Sequence, residues 1–131
     1  MNKAKVIISG NINPPPEEHE VSAAWILAYH YKCRIDFLKP LEGYKRKTPD
    51  FIINALEWEM KSPQGNAKRT IRNNIDLAKI QSPNIVIDAR RTKLTDEFIE
   101  AELKKQCATK TRISRLVMIS KNETVLEIKW K

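Results

Sequence analysis

The chain has 131 residues, with 24 Lys and Arg against 16 Asp and Glu, and its formal net charge is +8. This length suffices for one hydrophobic core, so we expect a single domain over residues 1–131. Cys33 and Cys107 are too few and too far apart for a disulfide framework or a zinc site. The apolar run Val6 to Ile8 is too short for a signal peptide or a membrane span, so no membrane partner is expected. The excess positive charge favours an anionic partner, of which nucleic acid is the commonest.

The first half of the chain predicts strands and helices in alternation. The segment AKVIISG predicts a strand, and residues 17–31 predict a helix because apolar residues recur there at helical spacing. The segment RIDFL predicts a second strand, and residues 49–53 and 56–61 predict a hairpin. A second helix is expected within residues 66–81.

The second half continues the alternation. NIVIDA has the apolar character of a buried central strand. A third helix is predicted to begin after Thr95 as its N-cap, and the segments RLVMIS and TVLEIKW predict two final strands. The order predicts an α/β fold, with a mixed central sheet flanked by helices. Trp25, Trp58 and Trp130 are expected to pack in the core.

The hairpin carries charges into an apolar stretch. If Asn54 and Ala55 form a two-residue turn, Asp50 pairs with Glu59 and their Cβ atoms lie about 5 Å apart. Strand alternation places Lys61 on the same face as Glu59. If the register slips by one residue, Glu57 becomes a rival to Glu59.

Two carboxylates side by side destabilise a hairpin unless a cation lies between them. Carboxylate oxygens suit Mg²⁺ or Mn²⁺, and a neighbouring Lys can orient water and offset charge that develops on a phosphate. The alternative is that Glu57, Glu59 and Lys61 form the solvated face of an edge strand.

These residues resemble a known signature. Pro49 and Asp50, then eight residues, then Glu59, Met60 and Lys61 resemble the PD-(D/E)XK nuclease motif. The segments HEVSAAWILA, KTPDFIIN, WEMKSPQGNAKRTI and QSPNIVIDARR, within residues 17–91, resemble the nuclease tail domains of bacterial contact-dependent growth inhibition toxins. Those domains are similar to tRNA-cleaving members of the same superfamily.

The resemblance implies a restriction-endonuclease-like fold and a metal-dependent nuclease that hydrolyses phosphodiester bonds in RNA, tRNA in particular. It implies that Asp50 and Glu59 bind the metal ion, Mg²⁺ or Mn²⁺, and that Lys61 assists catalysis. Glu20, in the first helix, matches the position of a third carboxylate ligand. The alternative for Glu20 is a solvated residue that the helix dipole favours in the first turn.

Two basic clusters flank the hairpin and are predicted to position a nucleic-acid backbone. The alternative is that they are solvated charges that keep the chain soluble. The residues are Lys45, Arg46, Lys47, Lys68, Arg69 and Arg72.

A DNA endonuclease of the same fold and a non-catalytic nucleic-acid-binding domain remain alternatives to an RNA nuclease. The toxin resemblance also implies a cognate immunity protein. It further implies action in the cytoplasm after delivery as part of a larger secreted protein.

Overall fold

The computed structural model describes residues 3–12, 14–39 and 49–131. Within these ranges the chain forms β1 (Lys5–Ile7), α1 (Glu18–Tyr31), β2 (Arg34–Phe37), β3 (Phe51–Ile53), β4 (Leu56–Lys61), α2 (Thr70–Gln81), β5 (Asn84–Asp88), α3 (Asp96–Thr109), β6 (Arg115–Ile119) and β7 (Val125–Trp130). The order is the predicted one, and the α/β class is confirmed. Helix α2 begins at Thr70, four residues later than the segment in which it was predicted.

The chain divides into two compact units, Met1–Trp58 and Glu59–Lys131. Strand β4 begins in the first unit and ends in the second. The expectation of one domain over the whole chain stays a prediction.

In the first unit, β1 and β2 run parallel, β2 and β3 antiparallel, and β3 pairs antiparallel with the start of β4. Phe51 lies opposite Trp58 and Ile53 opposite Leu56, so the predicted hairpin register is confirmed. Asn54 and Ala55 have φ values of 49° and 67°. Positive φ at both positions is typical of a type I′ turn, which fits the twist of the two strands.

Helix α1 buries a narrow apolar stripe, mostly of alanine, and packs on β1 and β2. The stripe consists of Ala23, Ala24, Leu27 and Ala28. Trp25 lies beside this stripe and is 37% exposed, so its predicted place in the core is wrong, whereas Trp58 is 1% exposed as predicted. The first turn closes with a capping box, in which Glu20 Oε1 accepts from the backbone N–H of Glu17 at 2.8 Å.

In the second unit, the end of β4 pairs parallel with β5, β5 pairs parallel with β6, and β6 pairs antiparallel with β7. Helices α2 and α3 pack against each other and bury apolar residues, among them Ile71, Ile75, Ile99 and Leu103, in the same cluster as the apolar residues of β5 and β6. The predicted cap of α3 is confirmed, because Thr95 Oγ1 accepts from the Phe98 N–H at 3.2 Å.

The prediction for Trp130 is wrong, because it is the last residue of β7 and is 47% exposed. The guanidinium carbon of Arg115 lies 5.4 Å from the centre of its ring, which is cation–π distance. In the ranges that the structure describes, no helix combines the length and apolar character needed to cross a membrane.

Candidate functional site

Glu59 is a carboxylate buried near the end of β4, with 3% of its surface exposed. On one side the strand continues a ladder with β5, in which Glu59 lies opposite Ile85. The alternative of a solvated strand face is therefore wrong for Glu59, although Glu57 on the same strand is exposed.

Lys61 lies two residues after Glu59, so strand alternation places both side chains on one face. Its Nζ lies 3.3 Å from Glu59 Oε2, and the Lys61 side chain is 21% exposed. The pair thus combines a buried carboxylate with an ammonium group that reaches solvent. This arrangement is open to a ligand on the Lys61 side.

Gln81 supplies a second donor to the same carboxylate from the last residue of α2. In the amide orientation that gives both groups hydrogen bonds, its Nε2 donates to both oxygens of Glu59, at 2.8 and 3.0 Å. In the sequence, Gln81 is a polar residue at a predicted helix end, where such residues more often cap the helix than contact a substrate or support a site. The contact depends on tertiary packing, which the sequence pattern does not contain.

A buried ion pair is a poor way to gain stability. Removing a carboxylate from water costs several kcal/mol, and well-packed apolar residues in place of such pairs are often neutral or stabilising. Perturbed or buried charges that have specific partners are instead common where chemistry or binding occurs. Glu59 and Lys61 therefore form the candidate functional centre of the second unit.

The loop between β4 and α2 is fixed to the loop after β5. Thr92 is 4% exposed, and its Oγ1 donates to the carbonyl oxygen of Gly65 at 2.5 Å. A Cβ on Gly65 would lie 2.8 Å from Thr70 Oγ1, so a side chain at this position would displace that of Thr70. These contacts hold the segment that follows Lys61 in one place.

Asp88 is a second buried carboxylate, at the end of β5, but its oxygens already accept hydrogen bonds from Arg90. Arg90 donates to it through its backbone N–H at 3.1 Å, through Nε at 2.9 Å and through a terminal nitrogen at 2.9 Å. The hydrogen bond to Asp88 raises the pKa of Arg90, which stays charged. This pair closes the end of β5.

Asp50 lies in the first unit, directly before β3. Its N–H donates to the carbonyl of Trp58 and its carbonyl accepts from Leu38, both at 2.9 Å. The paired residues of the hairpin end at Phe51 and Trp58, and the predicted approach of Asp50 to Glu59 stays a prediction.

Glu20 also lies in the first unit, where it serves the capping box of α1. Its role as a third ligand stays a prediction. Among the described residues, no group of three or more His, Cys, Asp or Glu is placed to hold a metal ion.

The predicted basic residues divide into two sets. Lys45, Arg46 and Lys47 lie outside the described residues. Lys68, Arg69 and Arg72 lie at the start of α2 and line a cleft in the second unit.

Comparison with known proteins agrees with the fold. A chain from the "CdiA-CT/CdiI toxin and immunity complex from Burkholderia pseudomallei" is similar, with 19% sequence identity and a TM-score of 0.66. The match covers 95% of this chain and 98% of that chain, so the two share their α/β fold. No curated protein matches the chain.

The family is shown by the sequence itself. The family described as "Contact-dependent growth inhibition CdiA C-terminal domain" matches residues 47–125, which is more than half of the chain. The chain belongs to this family and is a toxin domain of contact-dependent growth inhibition.

Proposed function

We propose that this toxin domain is a metal-dependent nuclease of the PD-(D/E)XK type, which hydrolyses phosphodiester bonds in RNA and in tRNA in particular. The observation that carries the proposal is the buried Glu59 carboxylate with Lys61 Nζ 3.3 Å away. The pair occupies the two ends of the Glu-Met-Lys segment that resembles the nuclease motif. The net charge of +8 suits a polyanionic substrate.

Lys61 has the chemistry that phosphodiester hydrolysis requires. Its ammonium group carries positive charge on a partly exposed side chain, where it can stabilise negative charge that develops on a phosphate. Glu59 holds that ammonium group on one side, and the hydrogen bonds from Gln81 fix the orientation of Glu59. A positioned group of this kind needs no reorganisation during the reaction.

We propose that a hard divalent cation binds at this centre when substrate is present. Mg²⁺ commonly takes one or two protein carboxylates and fills its other positions with water and phosphate oxygens. Glu59 is the carboxylate proposed to bind it, with Asp50 and Glu20 as the further proposed ligands. When bound, such an ion supplies a Lewis acid that polarises the phosphate and activates water.

The toxin class also suggests a protein partner and a place of action. The similar structure from Burkholderia pseudomallei is of a toxin and immunity complex. We propose that this chain likewise has a cognate immunity protein, acidic where it covers the basic surface. We propose further that the domain acts in the cytoplasm of a target cell, into which it is delivered as part of a larger secreted protein.

The test is cleavage of total tRNA and of plasmid DNA, side by side, with Mg²⁺, Mn²⁺, Zn²⁺ or EDTA. The proposal expects metal-dependent fragments of tRNA that disappear with Lys61→Ala and with Asp50→Ala, while both variants stay folded. Glu57→Gln is the matched control, because Glu57 is exposed on the same strand. Cleavage of DNA alone would overturn the choice of RNA. Metal-independent binding without cleavage of either substrate would instead support a non-catalytic nucleic-acid-binding domain.

A further inference from the structure

A cleft of about 360 Å³ opens between the start of α2 and the C-terminal half of α3. It lies within the second unit, and the predicted basic residues form only part of its wall. Helix α3 adds Lys105 and Gln106, and Lys110 follows the end of that helix. None of these three was singled out from the sequence.

Most of the basic side chains in the cleft wall are not paired with an acidic side chain that the structure describes. Lys110 is engaged, because its Nζ lies 2.6 Å from Asp76 Oδ1, and Glu102 is the only acidic residue of the wall among the described residues. The other four basic side chains have no ion-pair partner within the described ranges; they are Lys68, Arg69, Arg72 and Lys105. Like charges drawn together on two packed helices are unfavourable until an anion joins them.

The start of α2 adds to this positive potential. Its first turn contains no acidic residue, and Arg69 at the N-cap position makes no side-chain cap. The helix dipole, which no acidic side chain offsets in this turn, therefore favours an anion at this end.

Gln106 indicates that the ligand carries a hydrogen-bond donor beside its anionic group. It lines the cleft at 6% exposure, and its Nε2 donates to Glu102 at 2.9 Å. Its Oε1 has no hydrogen-bond partner within the part of the chain that the structure describes. A ligand with a hydroxyl donor beside its phosphate, such as a ribose phosphate, would pair with the cations and supply the donor that this buried oxygen lacks.

The cleft and the candidate centre lie at opposite ends of α2. Arg72 lines the cleft, whereas Gln81 contacts Glu59 nine residues later. At a rise of about 1.5 Å per residue the two ends lie roughly 14 Å apart. In a DNA duplex each strand carries one phosphate for about every 3.4 Å of axis, so this separation is that of a few phosphates along one strand.

We propose that the α2–α3 cleft is a second binding site for the ribose-phosphate backbone of the substrate RNA, a few phosphates from the bond that is cleaved. The position of the cleaved bond rests on the proposed function, whereas binding of the backbone by the cleft does not. The site anchors the RNA and takes no part in the chemical step.

The test is equilibrium binding of total tRNA in EDTA over a range of salt concentrations, with Lys105→Gln compared with Lys104→Gln. Lys104 is the adjacent residue on α3, is 62% exposed and pairs with Glu100 outside the cleft. Loss of one phosphate contact lowers the slope of log K against log salt by about 0.7–0.9, which weakens binding about five- to eightfold at 0.1 M salt. We expect this change for Lys105→Gln and for Arg72→Gln, and no change for Lys104→Gln.

Equal changes in tRNA binding by both lysine variants, or no change in either, would overturn the proposal. An acidic protein would then be the remaining candidate ligand of the cleft. Cleavage of tRNA with Mg²⁺ is measured in parallel. If the wild type binds through Lys105 but does not cleave, the cleft stands and the nuclease proposal fails. If it cleaves while Lys105→Gln binds normally, the nuclease proposal stands and the cleft fails.

The ribose is tested with RNA and DNA oligonucleotides of one sequence. Gln106→Met removes the acceptor while it retains an unbranched side chain of similar length. We expect the preference of the wild type for RNA to fall about three- to tenfold in this variant, the effect of one hydrogen bond. An unchanged preference in a variant that melts like the wild type would overturn the assignment of a ribose.

Discussion

Replacement of Glu59 by Gln tests whether the buried carboxylate serves function or stability. The variant loses the ion pair to Lys61 and weakens the hydrogen bonds from Gln81. Hydrogen bonds to a charged group contribute about 1.5–3 kcal/mol each. Against this loss, the variant avoids the desolvation of a carboxylate that is 3% exposed, which costs several kcal/mol. Because Lys61 reaches solvent, its ammonium group is not left buried without a counter-charge, and the two terms are of similar size. We therefore expect the free energy of unfolding to change by about 1 kcal/mol or less.

The assay is thermal unfolding followed by circular dichroism, together with the rate of tRNA cleavage. For a chain of this length, 1 kcal/mol corresponds to a shift in Tm of about 3–5 °C. We expect the Tm of the variant to differ from that of the wild type by no more than this. We expect cleavage to fall at least about 100-fold, as is typical when a group that stabilises the transition state is lost. Glu57→Gln should change neither quantity. A fall in Tm of more than about 10 °C would refute the reasoning, because Glu59 would then hold β4 to α2 as a structural residue.

Three further predictions concern stability. Ala55→Gly should raise the free energy of unfolding by about 0.5–1 kcal/mol, because Ala55 has a φ of 67° that glycine adopts without strain; urea denaturation measures the change, and a decrease would contradict the turn. Thr95→Ala should lower the free energy of unfolding by about 1 kcal/mol through loss of the cap on α3, whereas Thr95→Ser should retain most of it; equal losses in both variants would argue against the cap. The Lys110 ammonium lowers the pKa of Asp76, so the stabilisation from this carboxyl is complete above the pKa of the unfolded chain and is lost as the pH falls through the folded pKa. Asp76→Asn should therefore cost less than about 1 kcal/mol at pH 7, because Asp76 is 40% exposed, and the difference from wild type should shrink below about pH 4; a constant difference in urea denaturation at both pH values would contradict this assignment.

The fold was predictable because its determinants are local. The period-2 pattern on both sides of Asn54 and Ala55 specified the hairpin and its register, although Ala55 is not the glycine that the turn prefers. The Thr95 cap was predictable for the same reason, since a cap depends on residues within one turn. The exposure of Trp25 and Trp130 could not be predicted in this way, because it depends on which residues distant in sequence cover each ring.

The candidate site was predictable only in part. The motif indicated Glu59 and Lys61, and their spacing on one strand is a local property that the structure reproduces. The contact from Gln81 and the cleft between α2 and α3 join residues that are far apart in sequence. Such contacts arise from packing of whole helices, and the local pattern of a single sequence carries no signal for them.

The most direct test of the central claim is a time course of tRNA cleavage by the purified wild type and by Glu59→Gln, each with Mg²⁺ and with EDTA, on a denaturing gel. The account predicts discrete RNA fragments only for the wild type with Mg²⁺, while both proteins melt at nearly the same temperature. Intact RNA in every lane, or fragments of equal yield from the folded variant, would contradict the assignment of Glu59 and Lys61 as the centre of a nuclease.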